Sequence, residues 1–215
     1  MGTGKPGHRH AEHPDGGTID HPAAYEALST VLFFGRRRRV FSHIAVLTGA
    51  SPGGRVLDVG CGTGYLTRLL SRLAGPTGAV TGLDLSPSMI DYARKHAPAN
   101  CSYVVAPGQD MPFEEASFDV VVSSLAVHHI PASERAAALR EMHRVLRPGG
   151  RLLIVEFRPP THRTLAHVIG RITGPAMRHD PKELLEGIIA DAGFVTRKEG
   201  ALRPFLYYVA AARQS

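Results

Sequence analysis

At 215 residues, 43% hydrophobic and 20% charged, the chain can bury a sizeable core in one domain of ordinary size, and its apolar runs fall far short of the roughly 20 residues a membrane helix needs. The formal charge of +6 raises nucleic acid as a partner, yet 21 of the 25 basic residues are arginines scattered along the chain, and only Arg36–Arg39 form a run. Two cysteines, Cys61 and Cys101, exclude a disulfide framework and have no partners at zinc-ligand spacing. The opening residues lack the apolar centre of an export signal, so a cytoplasmic setting is expected.

Residues 1–20 are rich in Gly, His and Pro without period and are expected to be disordered. His8, His10 and His13 lie there without neighbours to fix a metal geometry. From residue 21 to 50 the apolar spacing predicts a helical cap in two segments separated at Gly35, the first carrying Leu28, Val31 and Leu32, the second Val40, Phe41, Ile44 and Leu47. Arg36–Arg39 reads either as a solvated helix start or as a face for an acidic ligand. A strand over 55–59 follows, then three alternate glycines and a helix carrying Leu66, Leu69, Leu70 and Leu73. A second strand covers 79–84, and Ser86 with Pro87 reads as cap and first position of the next helix. Strands are predicted over 101–106, 118–125 and 151–157, with a helix over 133–146 stopped by Arg147-Pro148-Gly149-Gly150. Strands alternating with helices imply a mostly parallel sheet covered on both faces. After a long connection, 158–179, one helix is expected from Asp180 to Gly193. Two strands then flank a short turn at Arg203-Pro204, too short for a parallel crossover and therefore an antiparallel hairpin.

The glycine-rich stretch is the chemical signal. Without the lysine of a P-loop it is not a triphosphate cradle. Gly60 and Gly62 fit a dinucleotide fingerprint, but its third position is Tyr65 and the glycine lies one residue earlier, at Gly64. Asp84 ends the second strand, where a carboxylate can accept both ribose hydroxyls. A nucleoside without a pyrophosphate fits this pattern, and S-adenosylmethionine is one.

Six blocks, Val56–Gly64, Gly82–Ser86, Gly108–Phe113, Phe118–His129, Arg144–Phe157 and Asp191–Phe194, occur in the order found in class I S-adenosylmethionine-dependent methyltransferases. Over roughly residues 50–210 the chain resembles that family, in particular the broad small-molecule group that includes the ubiquinone/menaquinone-biosynthesis enzymes. The resemblance implies an α/β, Rossmann-like three-layer sandwich with a mostly parallel seven-stranded sheet and a C-terminal antiparallel hairpin. It implies S-adenosyl-L-methionine as cofactor, S-adenosyl-L-homocysteine as product, and a domain over 51–215 with a lid insertion around 158–179. Carried over residue by residue, it puts Gly60, Gly62 and Gly64 under the cofactor and Asp58 near its amino group. Asp84 takes the ribose, Leu85 packs on the adenine, Asp110 accepts the adenine amino group and Met111 lines the ring. Ser123 and Leu125 close the end of the fourth strand.

Transfer at a sulfonium methyl needs alignment more than acid or base, but an alcohol or acidic carbon gains from losing its proton. His128 and His129, just past the fourth strand, are the candidate general bases, His128 slightly preferred; the other reading is that they shape the pocket. Tyr25, Arg36 and His128 are candidate substrate contacts. Phe33, Phe34, Val168, Ile169 and Ile172 suggest a modestly hydrophobic, aromatic or quinone-like acceptor. The motifs of amine-directed nucleic-acid, cytosine-C5, protein-arginine and metal-dependent catechol enzymes are missing, so no metal is expected. An RNA methyltransferase, or a protein that binds the cofactor without transferring its methyl, remains the alternative.

Overall fold

The computed structural model describes residues 21–33, 35–158, 180–185, 187–203 and 205–214. The expected disordered start, the lid residues 159–179 with Val168, Ile169 and Ile172, and Phe34 lie outside the described residues.

Two cap helices come first, α1 (Pro22–Leu32) and α2 (Arg37–Leu47). Pro22 suits the first turn of α1, and Gly35 at φ 70° breaks the chain between them. Val40, Phe41 and Ile44, at three- and four-residue spacing, turn one face of α2 inward. The remaining elements are β1 (Arg55–Val59), α3 (Tyr65–Ala74), β2 (Ala79–Asp84), α4 (Pro87–Lys95), β3 (Cys101–Val105), β4 (Phe118–Ser124), a 3-10 turn (Val127–His129), α5 (Ala132–Val145), β5 (Leu146–Phe157), α6 (Pro181–Leu185), α7 (Ile188–Asp191), β6 (Phe194–Leu202) and β7 (Leu206–Arg213).

The seven strands form one sheet in the order β3-β2-β1-β4-β5-β7-β6, with β7 antiparallel to both its neighbours and the other pairs parallel. The Rossmann-like sandwich and its C-terminal hairpin are therefore present as expected. Alternation along each strand feeds two cores. In β1, Leu57 and Val59 join the side of α5 and α7, while Val56 joins the side of α2 and α3. In β5, Leu152 and Ile154 face one way and Leu153 and Val155 the other. Register sets the site: Val59 lies opposite Leu83 on β2 and Ser123 on β4, and Asp84 opposite Val105 on β3. The carboxyl ends of four neighbouring strands thus finish in a row, the usual ligand position of a parallel sheet.

Two expectations need correction. The fifth strand begins at Leu146 rather than residue 151, because Leu146 pairs with Phe118 and Arg151 with Val120, leaving Arg147–Gly150 as a bulge with Gly149 at φ 73°. The single helix expected over 180–193 is two short ones, α6 and α7, since Gly187 at φ 85°, ψ −53° leaves the helical region. Asp180 does cap as expected, accepting from the Lys182 amide at 2.9 Å.

Leu139 on α5 is fully buried, whereas Val46 on α2 is 65% exposed. Chemical denaturation should find Leu139→Ala destabilised by about 2–5 kcal/mol and Val46→Ala within about 0.5 kcal/mol of the unmodified protein.

Candidate active site

The loop after β1 is pulled onto β2 by its own backbone: the Gly60 and Cys61 amides both donate to the Leu83 carbonyl, at 2.7 and 3.0 Å. Asp84 then fixes it from the side. Its Oδ2 accepts from the Gly62 amide at 2.7 Å and its Oδ1 from the Ser86 amide at 2.9 Å. Burial nevertheless raises the Asp84 carboxyl above the ordinary range, with the backbone amides, those of Ser86 and Gly62 foremost, opposing. Glycine at position 60 is a steric requirement, since a Cβ there falls 2.2 Å from the Cβ of Ala126, in the loop after β4. Gly64, at φ 73°, is bare for another reason: its Cβ meets the Tyr103 hydroxyl at 2.6 Å, so it serves packing against β3.

Between these loops lies a cavity of about 350 Å³, within the range of about 300–1,000 Å³ common for small-molecule sites. Of the expected residues, Gly60, Gly62, Asp84, Leu85, Leu125, His129 and Tyr25 line it. Leu125 sits at φ 58°, turning the chain sharply past β4, and Leu85 is 55% exposed.

Asp58 lies just behind. It is buried at the end of β1, accepts from the Thr67 hydroxyl at 2.7 Å, and borders a void of about 20 Å³ with Gly60, Arg37 and Ser124. That space suits one water molecule. Burial pushes its carboxyl up to about 7; Thr67 opposes the shift and Asp84 adds to it.

Other expected residues are elsewhere. Asp110 is exposed and off the cavity wall, and Met111 is core, because its backbone is held toward α5: its amide donates to Glu141 at 3.0 Å and its carbonyl accepts from Arg144 at 3.1 Å. Gln109 lines the cavity instead. Ser123 is fully buried within the sheet. Arg36 is exposed at the start of α2, and the buried arginine is Arg37. Arg37 grips Glu26 through both terminal nitrogens, at 2.5 and 2.9 Å, and lies over the Tyr65 ring at 3.9 Å. Glu26 in turn accepts from the Thr63 hydroxyl, which fastens the cap to the glycine loop. The spacing held a signal for this: Arg37 is three and four residues before Val40 and Phe41, on the same inward stripe.

The two histidines divide. His128 is buried off the cavity, its Nδ1 2.5 Å from Glu156 Oε2, while Glu156 Oε1 accepts from the Val127 amide at 2.8 Å. His129 faces the cavity, its ring 4.1 Å from that of His128. Burial, with His128 adding, lowers His129 to about 4, against the pull of Glu156. Glu156 was not singled out from the sequence, although a carboxylate within an apolar strand end is the same signal that marks Asp84.

Residues 56–150 match the family model described as a methyltransferase domain. A ubiquinone/menaquinone biosynthesis C-methyltransferase, UbiE, of Ectopseudomonas mendocina is 34% identical, over 80% of this chain and 77% of its own length. The chain belongs to the class I S-adenosylmethionine-dependent methyltransferases. The protein of the same name from Shewanella sp. (strain W3-18-1) is 37% identical over 68% of the chain, and the chain spans 59% of that relative's length. In fold, this family member superposes on the crystal structure of a SAM-dependent methyltransferase from Aquifex aeolicus with a TM-score of 0.72, covering 89% of this chain and 98% of the other at 22% identity. Among the described residues, no helix is long and apolar enough to cross a membrane.

The raised carboxyl of Asp58 carries a sign. Its neutral form is favoured in the fold, so the stability it contributes is complete below about pH 4 and is lost as pH rises through about 7. The isosteric Asp58→Asn has no such loss. Denaturation of the ligand-free protein from pH 4 to 8 should show the variant gaining on the unmodified protein as pH rises.

Proposed function

We propose that this methyltransferase transfers the methyl group of S-adenosylmethionine to a small, modestly hydrophobic acceptor, aromatic or quinone-like, at oxygen or carbon and without a metal. The observation that carries this reading is Asp84, a carboxylate at the end of β2 on the cavity wall, beside glycine backbone that no side chain can crowd. Each of its oxygens takes one amide and keeps a lone pair, so two ribose hydroxyls can be accepted together. Leu85 offers an apolar face to the base. The void beside Asp58 suits a water between that carboxylate and an ammonium group, whose charge would favour the ionised form. When bound, the cofactor supplies a methyl group on a cationic sulfur, an electrophile that needs no further activation.

The chain's own residues orient the acceptor and exclude water. Tyr25 from α1 closes one side of the cavity, and the Arg37–Glu26–Thr63 contacts hold that helix over the glycine loop. With its ring neutral above about pH 5, His129 can take a hydrogen bond, and then the proton, from an acidic acceptor. His128, anchored by Glu156, packs behind it and fixes its position. Relatives named as C-methyltransferases favour a carbon acceptor. The same reading has the protein working in the cytoplasm on a diffusible compound.

Two measurements test it. In calorimetry with S-adenosylhomocysteine, Asp84→Ala should weaken binding by about tenfold or more, the loss expected for hydrogen bonds to a charged group; unchanged affinity sinks the ribose assignment. With methyl-labelled S-adenosylmethionine and a cell extract, label should appear in the organic-soluble fraction, and label in RNA or protein instead overturns the acceptor class. Once an acceptor is identified, His129→Phe should lower kcat by about 10²-fold.

A further inference from the structure

The carboxyl ends of β1, β2 and β3 lie side by side, so a ligand with its ribose on Asp84 and its amino-acid end over Gly60 carries its base past β2, onto the residues that follow β3. Asp110, the acid expected there, does not reach the cavity. The polar side chains that line this end are Gln109, after β3, and Glu134, in the first turn of α5. They come from separate elements and meet: Gln109 Nε2 donates to Glu134 Oε2 at 2.7 Å. The Glu134 backbone is fixed by its amide, which donates to the Pro131 carbonyl at 2.8 Å.

A glutamate in a first helical turn is commonly explained by the helix dipole alone. That account gives no reason for its carboxylate to be joined to a cavity-lining amide of another loop. Gln109 spends one of its two N–H groups on Glu134, and toward the ligand the carboxylate is an acceptor alone: Glu134 Oε1 accepts no other hydrogen bond among the described residues. That acceptor suits an N–H of the adenine amino substituent. A base with a carbonyl oxygen at that carbon would set lone pairs against a carboxylate, and discrimination between the two should be strong.

We propose that Gln109 and Glu134 are the base-reading pair of this site, with Glu134 accepting from the adenine amino group and Gln109 holding its carboxylate in place. This rests on the reading of the cavity as the S-adenosylmethionine site.

The test compares S-adenosylhomocysteine with S-inosylhomocysteine, which carries oxygen in place of the amino group, by titration calorimetry. The unmodified protein should favour the adenine form by about tenfold or more. In Glu134→Gln the side-chain amide can turn its NH₂ toward the oxygen, so the preference should shrink by about tenfold. Gln109→Met, which frees the carboxylate, should narrow it as well and provides an independent measurement if the first variant folds poorly. Asp110→Asn should leave it as it was. Equal affinity of the unmodified protein for both compounds, an unchanged ratio in both pair variants, or a ratio that collapses with Asp110→Asn overturns the assignment. Binding of neither compound by the unmodified protein overturns the cofactor reading itself, and the base assignment with it. A purely structural role for Glu134 would lower stability, or both affinities together, and leave their ratio intact.

Discussion

Two backbone amides from different loops converge on the carboxylate of Asp84, and the site depends on that convergence. The Gly62 contact holds the glycine loop across the β1–β2 boundary, and the Ser86 contact turns the chain into α4. Each removes an unpaired donor, Gly62 at a half-buried position and Ser86 at a buried one, where leaving one unmet costs about 1–3 kcal/mol. The same carboxylate is what a ribose would find. In the proposed reading, loop shape and ligand recognition therefore share one side chain, and the acid would have to keep its charge although burial works against it.

The cap adds a second constraint. Arg37 is a buried cation made tolerable by a bidentate partner, Glu26, and by the face of Tyr65. Glu26 also reaches Thr63, so the contact runs from α2 through α1 to the turn that opens α3. The cap, whose Tyr25 lines the cavity, is thus keyed to the glycine loop on the same wall. Opposite them, Glu156 anchors both the Val127 amide and His128, holding the turn after β4 in one shape and leaving His129 at the wall.

How much of this the sequence revealed depended on whether the signal was local. Backbone requirements were legible: alternate glycines after an apolar run, Ser86-Pro87 opening a helix, and a connection at 203–204 too short to cross over. Asp84 was legible because it is polar where a buried strand ends. Which residue of a short segment faces the cavity was not, because one residue of rotation separates Gln109 from Asp110 and His129 from His128, and in the cap the same step separates the buried Arg37 from the exposed Arg36. Those choices are made by tertiary contacts: Glu141 and Arg144 drawing Met111 inward, Glu156 claiming His128, and Glu26 claiming Arg37. Arg147–Gly150 was expected to separate a helix from a strand, but Leu146 pairs with Phe118 and the segment is absorbed as a bulge.

The sheet order also dictates how the chain can be assembled. Among the described residues β6 pairs with β7 alone, and β7, which comes later in the chain, links it to β5. Until residues 206–213 pair, Arg151–Phe157 is an open sheet edge composed largely of apolar residues that the finished fold buries, and β6 has no strand to pair with. A chain whose β7 has not paired therefore exposes the edge of β5, an apolar strand open to the edge of another chain.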